Sequence, residues 1–180
     1  WGRIMNGGAW LTVDGVRIDV LLRDLDVVDP LCARAAAGAF DIDMLLGYVA
    51  GVPTYSVLAE RAIAVPLFGA PMSPEEYPTR LAQSAPTRWR FNARFSLDYA
   101  RKHAARGDTL AAVAQVAKAA LEEAHARRCE AKQWVLNEKG LLARAGLAAL
   151  QQRLHALPRE PADLSAWVDD MQRLITGTDA

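Results

Sequence analysis

An aspartate, Asp19, lies in the middle of an apolar run that has the pattern of a β-strand. Aspartate is a poor strand former and is costly to bury without a partner, so its presence there needs a reason. One interpretation is that Arg17, Arg23 or a neighbouring strand pairs with it. The other is that Asp19 binds a metal ion, although one carboxylate cannot hold the two cations, about 4 Å apart, of a phosphoryl-transfer site.

A β-hairpin is predicted to position Asp19. The dipeptide Asp14-Gly15 between two alternating runs favours a type I′ turn, because both central residues of that turn must take positive φ. This turn places Trp10 opposite Asp19 and leaves Asp19 on the exposed face. Four apolar residues share the other face, which we expect to be buried: Val16, Ile18, Val20 and Leu22.

Two stretches carry a resemblance to a known family. They are residues 7–25, from Gly-Gly-Ala-Trp-Leu-Thr-Val-Asp-Gly to Asp-Val-Leu-Leu-Arg-Asp-Leu, and residues 134–140, Trp-Val-Leu-Asn-Glu-Lys-Gly. Both resemble nucleotidyltransferases of the DNA polymerase β-like superfamily, especially the antibiotic-nucleotidyltransferase-like group. The resemblance implies a small mixed sheet that carries the metal site, followed by a helical domain.

The resemblance also implies roles for three residues. Asp19 would be the third metal ligand or the general base, Lys139 would reach the nucleotide phosphates, and Glu138 would lie near the metal cleft or the acceptor hydroxyl. The implied cofactors are Mg²⁺ and a nucleoside triphosphate, with ATP the first choice. The implied reaction transfers a nucleoside monophosphate to a hydroxyl of a small molecule or a protein. Interpreted structurally instead, Lys139 would complement the dipole of a helix C-terminus that ends at Gly140.

The chain departs from the family pattern at its beginning. Family members carry a Gly-Ser turn and a paired Asp-x-Asp upstream of the hairpin, and neither precedes Trp10 here. We therefore expect that an N-terminal segment is missing and that this chain alone is inactive. Asp41 and Asp43 form an Asp-x-Asp after the hairpin, which is a displaced metal pair in one interpretation. The alternative function is a non-catalytic binding or scaffold protein derived from a nucleotidyltransferase.

The resemblance and the helix signals of the second half together imply an α+β fold in two parts. The prolines and glycine of residues 66–71 predict a boundary between a partial nucleotidyltransferase-like mixed-sheet domain, residues 1–70, and an antiparallel helical bundle, residues 71–180. Residues 1–79 hold 5 Lys/Arg against 10 Asp/Glu, and residues 80–180 hold 16 against 11. This asymmetry suits either a clamp for a metal–triphosphate or ordinary complementarity between domains.

Helix signals follow in most of the remaining chain. Asp29, Pro30 and Gly38 predict the cap, first position and end of a first helix. A glycine-rich loop over residues 47–55, which either packs or lines a substrate cleft, leads into a helix at 56–64 that holds Glu60. The bundle is predicted to be up-and-down, because its connections are short. Its predicted helices, the first opened by a capping box at residues 73–76, span 73–84, 87–106, 108–139, 141–157 and 162–175.

One helix face collects positive charge. Arg90, Arg94 and Arg101 fall at i, i+4 and i+11, with Asp98 among them. This face is either solvated or binds a phosphate or a partner.

Two further helical patterns have structural interpretations. Three aromatic residues recur beside the arginines and are predicted to be core: Phe91, Phe95 and Tyr99. Three residues of the next helix share a face and could form only a partial metal site: Glu122, His125 and Cys129.

The composition also limits the setting and the partners. No run approaches the ~20 apolar residues of a membrane span, and no secretory signal opens the chain. Two distant cysteines, Cys32 and Cys129, favour a reduced cytoplasmic location. We expect a nucleotide and a small-molecule acceptor as partners, no membrane, and no nucleic acid because no basic stripe is present. The sequence leaves open whether the chain forms a homodimer.

Overall fold

The computed structural model describes residues 3–69, 76–158 and 160–177. The chain forms two compact units, residues 1–81 and residues 82–180. The fold is α+β, with two small sheets in the N-terminal unit and helices in the C-terminal unit. Most of the capping box predicted at residues 73–76, and the end of the boundary predicted at residues 66–71, lie outside the described residues.

The hairpin has the predicted register. Strands β1 (Gly7–Val13) and β2 (Val16–Leu22) pair antiparallel, and Trp10 lies opposite Asp19. The turn residues Asp14 and Gly15 have φ angles of 52° and 79°, as a type I′ turn requires.

The expected burial of one hairpin face is wrong. The apolar residues of that face in β2 include Val16 and Ile18, which are 61% and 40% exposed. Among the described residues the hairpin is a two-stranded sheet of its own. The predicted mixed sheet is also not present there, since the second sheet, β3 (Ile42–Asp43) with β4 (Val52–Pro53), is antiparallel too. Alternation determines which side chains share a face, but a further element must cover that face.

Helix α1 (Leu25–Ala36) begins earlier than predicted. The Asp24 side chain caps it by accepting a hydrogen bond of 3.0 Å from a first-turn backbone N–H. Asp29 and Pro30 therefore lie inside the helix rather than at its start. Gly38, at φ 84°, follows the last turn as predicted, because the left-handed position after a helix favours glycine.

The glycine-rich loop is part of the core of the N-terminal unit. Residues 50–59, which run from the loop into helix α2, are all buried. Helix α2 (Ser56–Ile63) confirms the helix predicted at residues 56–64. Gly51 has φ 92°, and a Cβ atom added there would lie 2.8 Å from Cγ2 of Ile42. These contacts favour the packing interpretation of the loop.

Helix α3 (Thr79–Ala104) continues through Pro86, so the predicted break between residues 84 and 87 is wrong. Proline removes one backbone hydrogen bond of the helix. Leu81, Ala85 and Trp89 are each 0% exposed at i, i+4 and i+8. Burial of this face on both sides of the proline favours one continuous helix.

Helix α4 (Thr109–Glu130) ends nine residues before the predicted end at residue 139. Lys132 takes the left-handed conformation, φ 53°, and its N–H donates to the carbonyl of Cys129 at 3.0 Å. This is the helix-ending geometry that glycine usually provides. The sequence carries no glycine there, so the stop was not predicted.

The predicted helix at residues 141–157 is broken into pieces. Helix α5 (Leu141–Arg144) and helix α6 (Ala149–Arg153) are separated at Gly146, which has φ 73°, and a 3₁₀ turn follows at Leu154–Ala156. Helix α7 (Pro161–Thr176) confirms the prediction for residues 162–175.

Helices α3 and α4 run antiparallel, as predicted. Arg90 near the middle of α3 pairs with Glu130 at the end of α4 at 2.6 Å, and Ser96 further along α3 donates to Glu122, earlier in α4, at 2.8 Å. The core around these helices consists largely of small and aliphatic side chains, including Leu97, Ala100, Val116, Ala120, Leu141, Leu164, Val168 and Ile175.

Helix α7 runs in the same direction as α4, which agrees with the expected up-and-down order because the predicted segment 141–157 lies between them. Arg127 near the end of α4 donates to the carbonyl of Ile175 near the end of α7 at 2.9 Å. Arg101 near the end of α3 pairs with Asp169 in the middle of α7 at 3.1 Å. The connection from α4 to α7 includes α5 and α6 and is long enough to return the chain to the start of α7. Within the described ranges no helix is both long and apolar enough to cross a membrane.

Candidate functional site

Asp19 is an exposed carboxylate at the centre of β2. Its neighbour across the hairpin is Trp10, and directly opposite residues of an antiparallel pair share a face. Within the described part of the chain, Asp19 makes no ion pair and no hydrogen bond. The predicted pairing with Arg17 or Arg23 is therefore wrong, and the carboxylate is open to solvent.

Arg23 pairs with Glu60 instead. Nη2 and Nε of Arg23 donate to the two carboxylate oxygens of Glu60 at 2.6 and 2.8 Å, which is the bidentate geometry of a strong ion pair. These hydrogen bonds to Glu60 raise the pKa of Arg23. This pair joins the end of β2 to α2 and so holds one end of the hairpin. The two residues are 37 positions apart, and no local pattern predicts their contact.

The two carboxylates of the Asp-x-Asp at residues 41–43 form ion pairs with arginines. Nη2 of Arg3 lies 2.9 Å from Asp41 and 2.8 Å from Asp43, and Arg34 lies 3.0 Å from Asp41. Hydrogen bonds from Arg34 and Arg3 lower the pKa of Asp41. Guanidinium groups at these distances compete with a metal cation for the same oxygens.

Glu138 and Lys139 lie together in the turn before α5. The side chain of Asn137 accepts a hydrogen bond from the backbone N–H of Lys139 at 3.0 Å, and Gly140 has φ 64°. Lys139 is exposed and Glu138 is half-buried. The structural interpretation of Lys139 as a last-turn helix residue is wrong, because α4 already ends at Glu130.

Arg144 holds this turn and was not recognised in the sequence. Its Nη1 donates to the carbonyl of Lys139 at 2.7 Å, and Arg128 in turn donates to the carbonyl of Arg144 at 2.9 Å. The prediction of one helix over residues 141–157 placed Arg144 inside an uninterrupted helix and gave its side chain no role. The glycines at 140 and 146 that flank it were the available signal of a turn.

The predicted site residues are thus divided between the two units. Asp19 belongs to the N-terminal unit, whereas Glu138 and Lys139 belong to the C-terminal unit. No group of three or more His, Cys, Asp and Glu side chains in residues 3–69, 76–158 and 160–177 is placed to hold a metal ion.

Glu122 is used structurally. It is completely buried and accepts hydrogen bonds from Lys118 at 2.7 Å and Ser96 at 2.8 Å. Burial raises its pKa, and these two donors oppose that shift. Its carboxylate is therefore already engaged by a cation and a hydroxyl.

His125 faces a different environment on the same helix. Its ring stacks on Trp89, and within the described ranges neither ring nitrogen has a hydrogen-bond partner. Burial lowers the pKa of His125 to about 3, with a smaller contribution from the charge of Arg144. The imidazole is neutral at pH 7.

The aromatic residues beside the arginine face are not core. Phe91, Phe95 and Tyr99 are 58%, 56% and 41% exposed, which corrects the prediction. The inward face of α3 is taken by smaller residues and Trp89. Lys102 lies 4.7 Å from the Tyr99 ring centroid, a distance at which a cation is attracted to the ring face.

Comparison with known proteins adds no family: no protein-family model, no curated protein and no solved structure matches the chain.

Proposed function

We propose that this chain takes part in nucleotidyl transfer, moving a nucleoside monophosphate from a Mg²⁺–nucleoside triphosphate to a hydroxyl of a small molecule or a protein. The observation that supports this proposal is Asp19, an exposed mid-strand carboxylate without a partner among the described residues. A paired carboxylate would have a structural explanation. An open one, fixed in register by a type I′ hairpin, suits a ligand or a base.

The chemistry needs a carboxylate at this kind of position. The acceptor oxygen attacks the α-phosphorus, its proton moves to a general base, and the bond to the pyrophosphate oxygen breaks. Most of the rate enhancement comes from positioning and from neutralising charge. In the proposal Asp19 serves as one metal ligand or receives the proton.

Lys139 is the proposed phosphate contact. An ammonium group is a compact point charge that binds phosphate oxygens. The residue is exposed on a turn whose backbone is fixed by Asn137 and Arg144, and Glu138 lies beside it in the turn. Such a turn presents a lysine without burying its charge.

A complete two-metal site needs further carboxylates beside Asp19. The described residues hold no such group. In the proposal they come from the segment with a Gly-Ser turn and an Asp-x-Asp that the family resemblance implies.

Pyrophosphate release from Mg²⁺–ATP tests the proposal, with calorimetric titration of Mg²⁺–ATP alongside. The chain is compared with a longer form that carries such an upstream segment. We expect activity only in the longer form, and in it Asp19→Asn should lower turnover about 100-fold, the typical effect of losing one charge-stabilising group.

Asp14→Asn is the matched control. It removes a carboxylate from the same hairpin, and asparagine suits the type I′ turn equally well. Full activity of the Asp19→Asn variant would contradict the proposal. Micromolar binding of Mg²⁺–ATP to the chain alone, lost in Asp19→Asn, would show that other residues complete the site.

A non-catalytic binding protein is the second candidate. It is favoured by the exposed aromatic residues of α3, Phe91, Phe95 and Tyr99, because contiguous exposed apolar groups mark interaction surfaces. Absence of pyrophosphate release from the longer form, with its fold intact, would select this function.

A further inference from the structure

A cavity of about 470 Å³ opens in the C-terminal unit between helices α3, α4 and α7. Pockets for small organic ligands have volumes of about 300–1,000 Å³. All of its lining residues lie between positions 90 and 176, so the cavity belongs to this unit alone. Nothing in the proposed nucleotidyl transfer uses it.

Three arginines of α3 line the cavity: Arg90, Arg94 and Arg101. They are the residues whose spacing predicted a charged helix face. Two carboxylates, Asp98 and Glu123, also line it, so the lining carries an excess of one positive charge.

Both lining carboxylates are already paired. Glu123 is nearly buried and lies 3.2 Å from Arg127 and 3.4 Å from Arg90. Asp98 lies 3.1 Å from Arg101. Their charges are neutralised locally and do not oppose an incoming anion at full strength.

Arg94 differs from the other two lining arginines in its contacts. Within the described ranges it makes no ion pair and no hydrogen bond, whereas Arg90 and Arg101 each pair with two carboxylates. A guanidinium group has five donors in a planar fork, which matches the oxygens of phosphate and carboxylate groups.

The inner wall of the same cavity is apolar. Ala93 and Leu97 line it from α3 and are 3% and 1% exposed. A ligand that fills the cavity therefore meets charge on one side and buried aliphatic carbon on the other. Inorganic phosphate would use only the first of these.

We propose that this cavity binds a small organic oxyanion, a phosphate monoester or a carboxylate on an apolar body, with the oxyanion held by Arg94 and the body against Leu97. The site is independent of Asp19 and of nucleotidyl transfer.

Titration of the full chain with phenyl phosphate, benzoate and inorganic phosphate tests the proposal. Calorimetry and the amide chemical shifts of α3 measure the binding. We expect saturable binding of at least one aromatic oxyanion, several-fold tighter than that of inorganic phosphate. The aromatic oxyanion that binds more tightly identifies the class, phosphate or carboxylate. Absence of saturable binding of both, or equal affinity for phenyl and inorganic phosphate, would overturn the proposal.

Variants locate the site. Arg94→Gln should weaken binding at least tenfold, and Arg94→Lys should weaken it less because the charge is kept while the fork is lost. Arg88→Gln is the matched control: Arg88 is an exposed arginine of α3 that does not line the cavity. An equal loss in Arg94→Gln and Arg88→Gln would show general attraction to a basic helix and would contradict a specific site. Circular dichroism of each variant confirms that the fold is intact.

Discussion

The ring of His125 stacks on the indole of Trp89, with centroids 4.3 Å apart and planes inclined by 11°. The pair is buried, and the charge of Arg144 further opposes protonation, so the pKa of His125 is lowered to about 3. Folding therefore excludes a proton that the unfolded chain would bind at mildly acidic pH.

Stability should fall as the pH is lowered below about 6.5. The contribution of His125 to the free energy of unfolding is complete above 6.5, the pKa of the unfolded chain's histidine. It is lost as the pH falls toward 3, at about 1.4 kcal/mol per pH unit. Between pH 6.5 and pH 5 we expect a loss of about 2 kcal/mol. Urea unfolding of the native chain and of His125→Phe at both pH values measures it, since the variant lacks this contribution. Glu122, whose raised pKa acts with the opposite sign, is common to both proteins. Equal losses in the two proteins would contradict the assignment.

Gly51→Ala should destabilise the N-terminal unit by roughly 1–3 kcal/mol. The residue has φ 92°, and the new Cβ would lie 2.8 Å from Ile42 Cγ2 and 3.0 Å from the carbonyl of Asp43. Gly47→Ala is the control, because Gly47 has φ 86° but no atom within 4 Å of the added Cβ. Thermal melts should show the larger loss for Gly51→Ala. A loss of the same size in both would assign the cost to backbone conformation alone.

Lys132→Gly should stabilise the C-terminal unit by about 1 kcal/mol. Lys132 ends α4 at φ 53°, a conformation that costs side-chain-bearing residues roughly 1–2 kcal/mol and costs glycine little. Lys132→Ala removes the same charge but keeps a Cβ, so it should not raise the melting temperature. A rise in both variants would mean that charge, not conformation, is responsible.

Arg144→Ala should make the peptide bond after Lys139 more sensitive to trypsin by several-fold. The guanidinium of Arg144 holds the carbonyl of Lys139 at 2.7 Å, and loss of this bond frees an exposed turn. Arg153→Ala is the control, since Arg153 pairs with Asp170 away from this turn. Mass spectrometry of the fragments reports the cleavage rate. Unchanged cleavage after Lys139 would show that Asn137 alone orders the turn.

Local signals in the sequence predicted local structure well. The Asp14-Gly15 turn determined the register that places Trp10 opposite Asp19, because the pairing of a two-residue turn follows from its geometry. The end of α4 was missed because a lysine adopts the left-handed conformation there. Pro86 was read as a break, although buried residues on both sides keep α3 continuous.

Contacts between distant residues set the limit of prediction for the site. The sequence indicated that Asp19 and Lys139 could do chemistry. It did not indicate that Arg23 would pair with Glu60, or that Phe91 and Phe95 would face solvent. Each of these depends on which element packs against which, and periodicity carries no information on that choice.

The two-stranded hairpin has a further consequence, for solubility. Among the described residues each strand forms backbone hydrogen bonds along one edge only, with the other strand of the hairpin. The exposed side chains of the hairpin include Leu11, Val13 and Ile18. An exposed, apolar strand edge is a template for pairing with another molecule, and charged residues within the strand oppose such pairing. Arg17 and Asp19 are charges of this kind, so the carboxylate proposed for chemistry also hinders edge-to-edge aggregation.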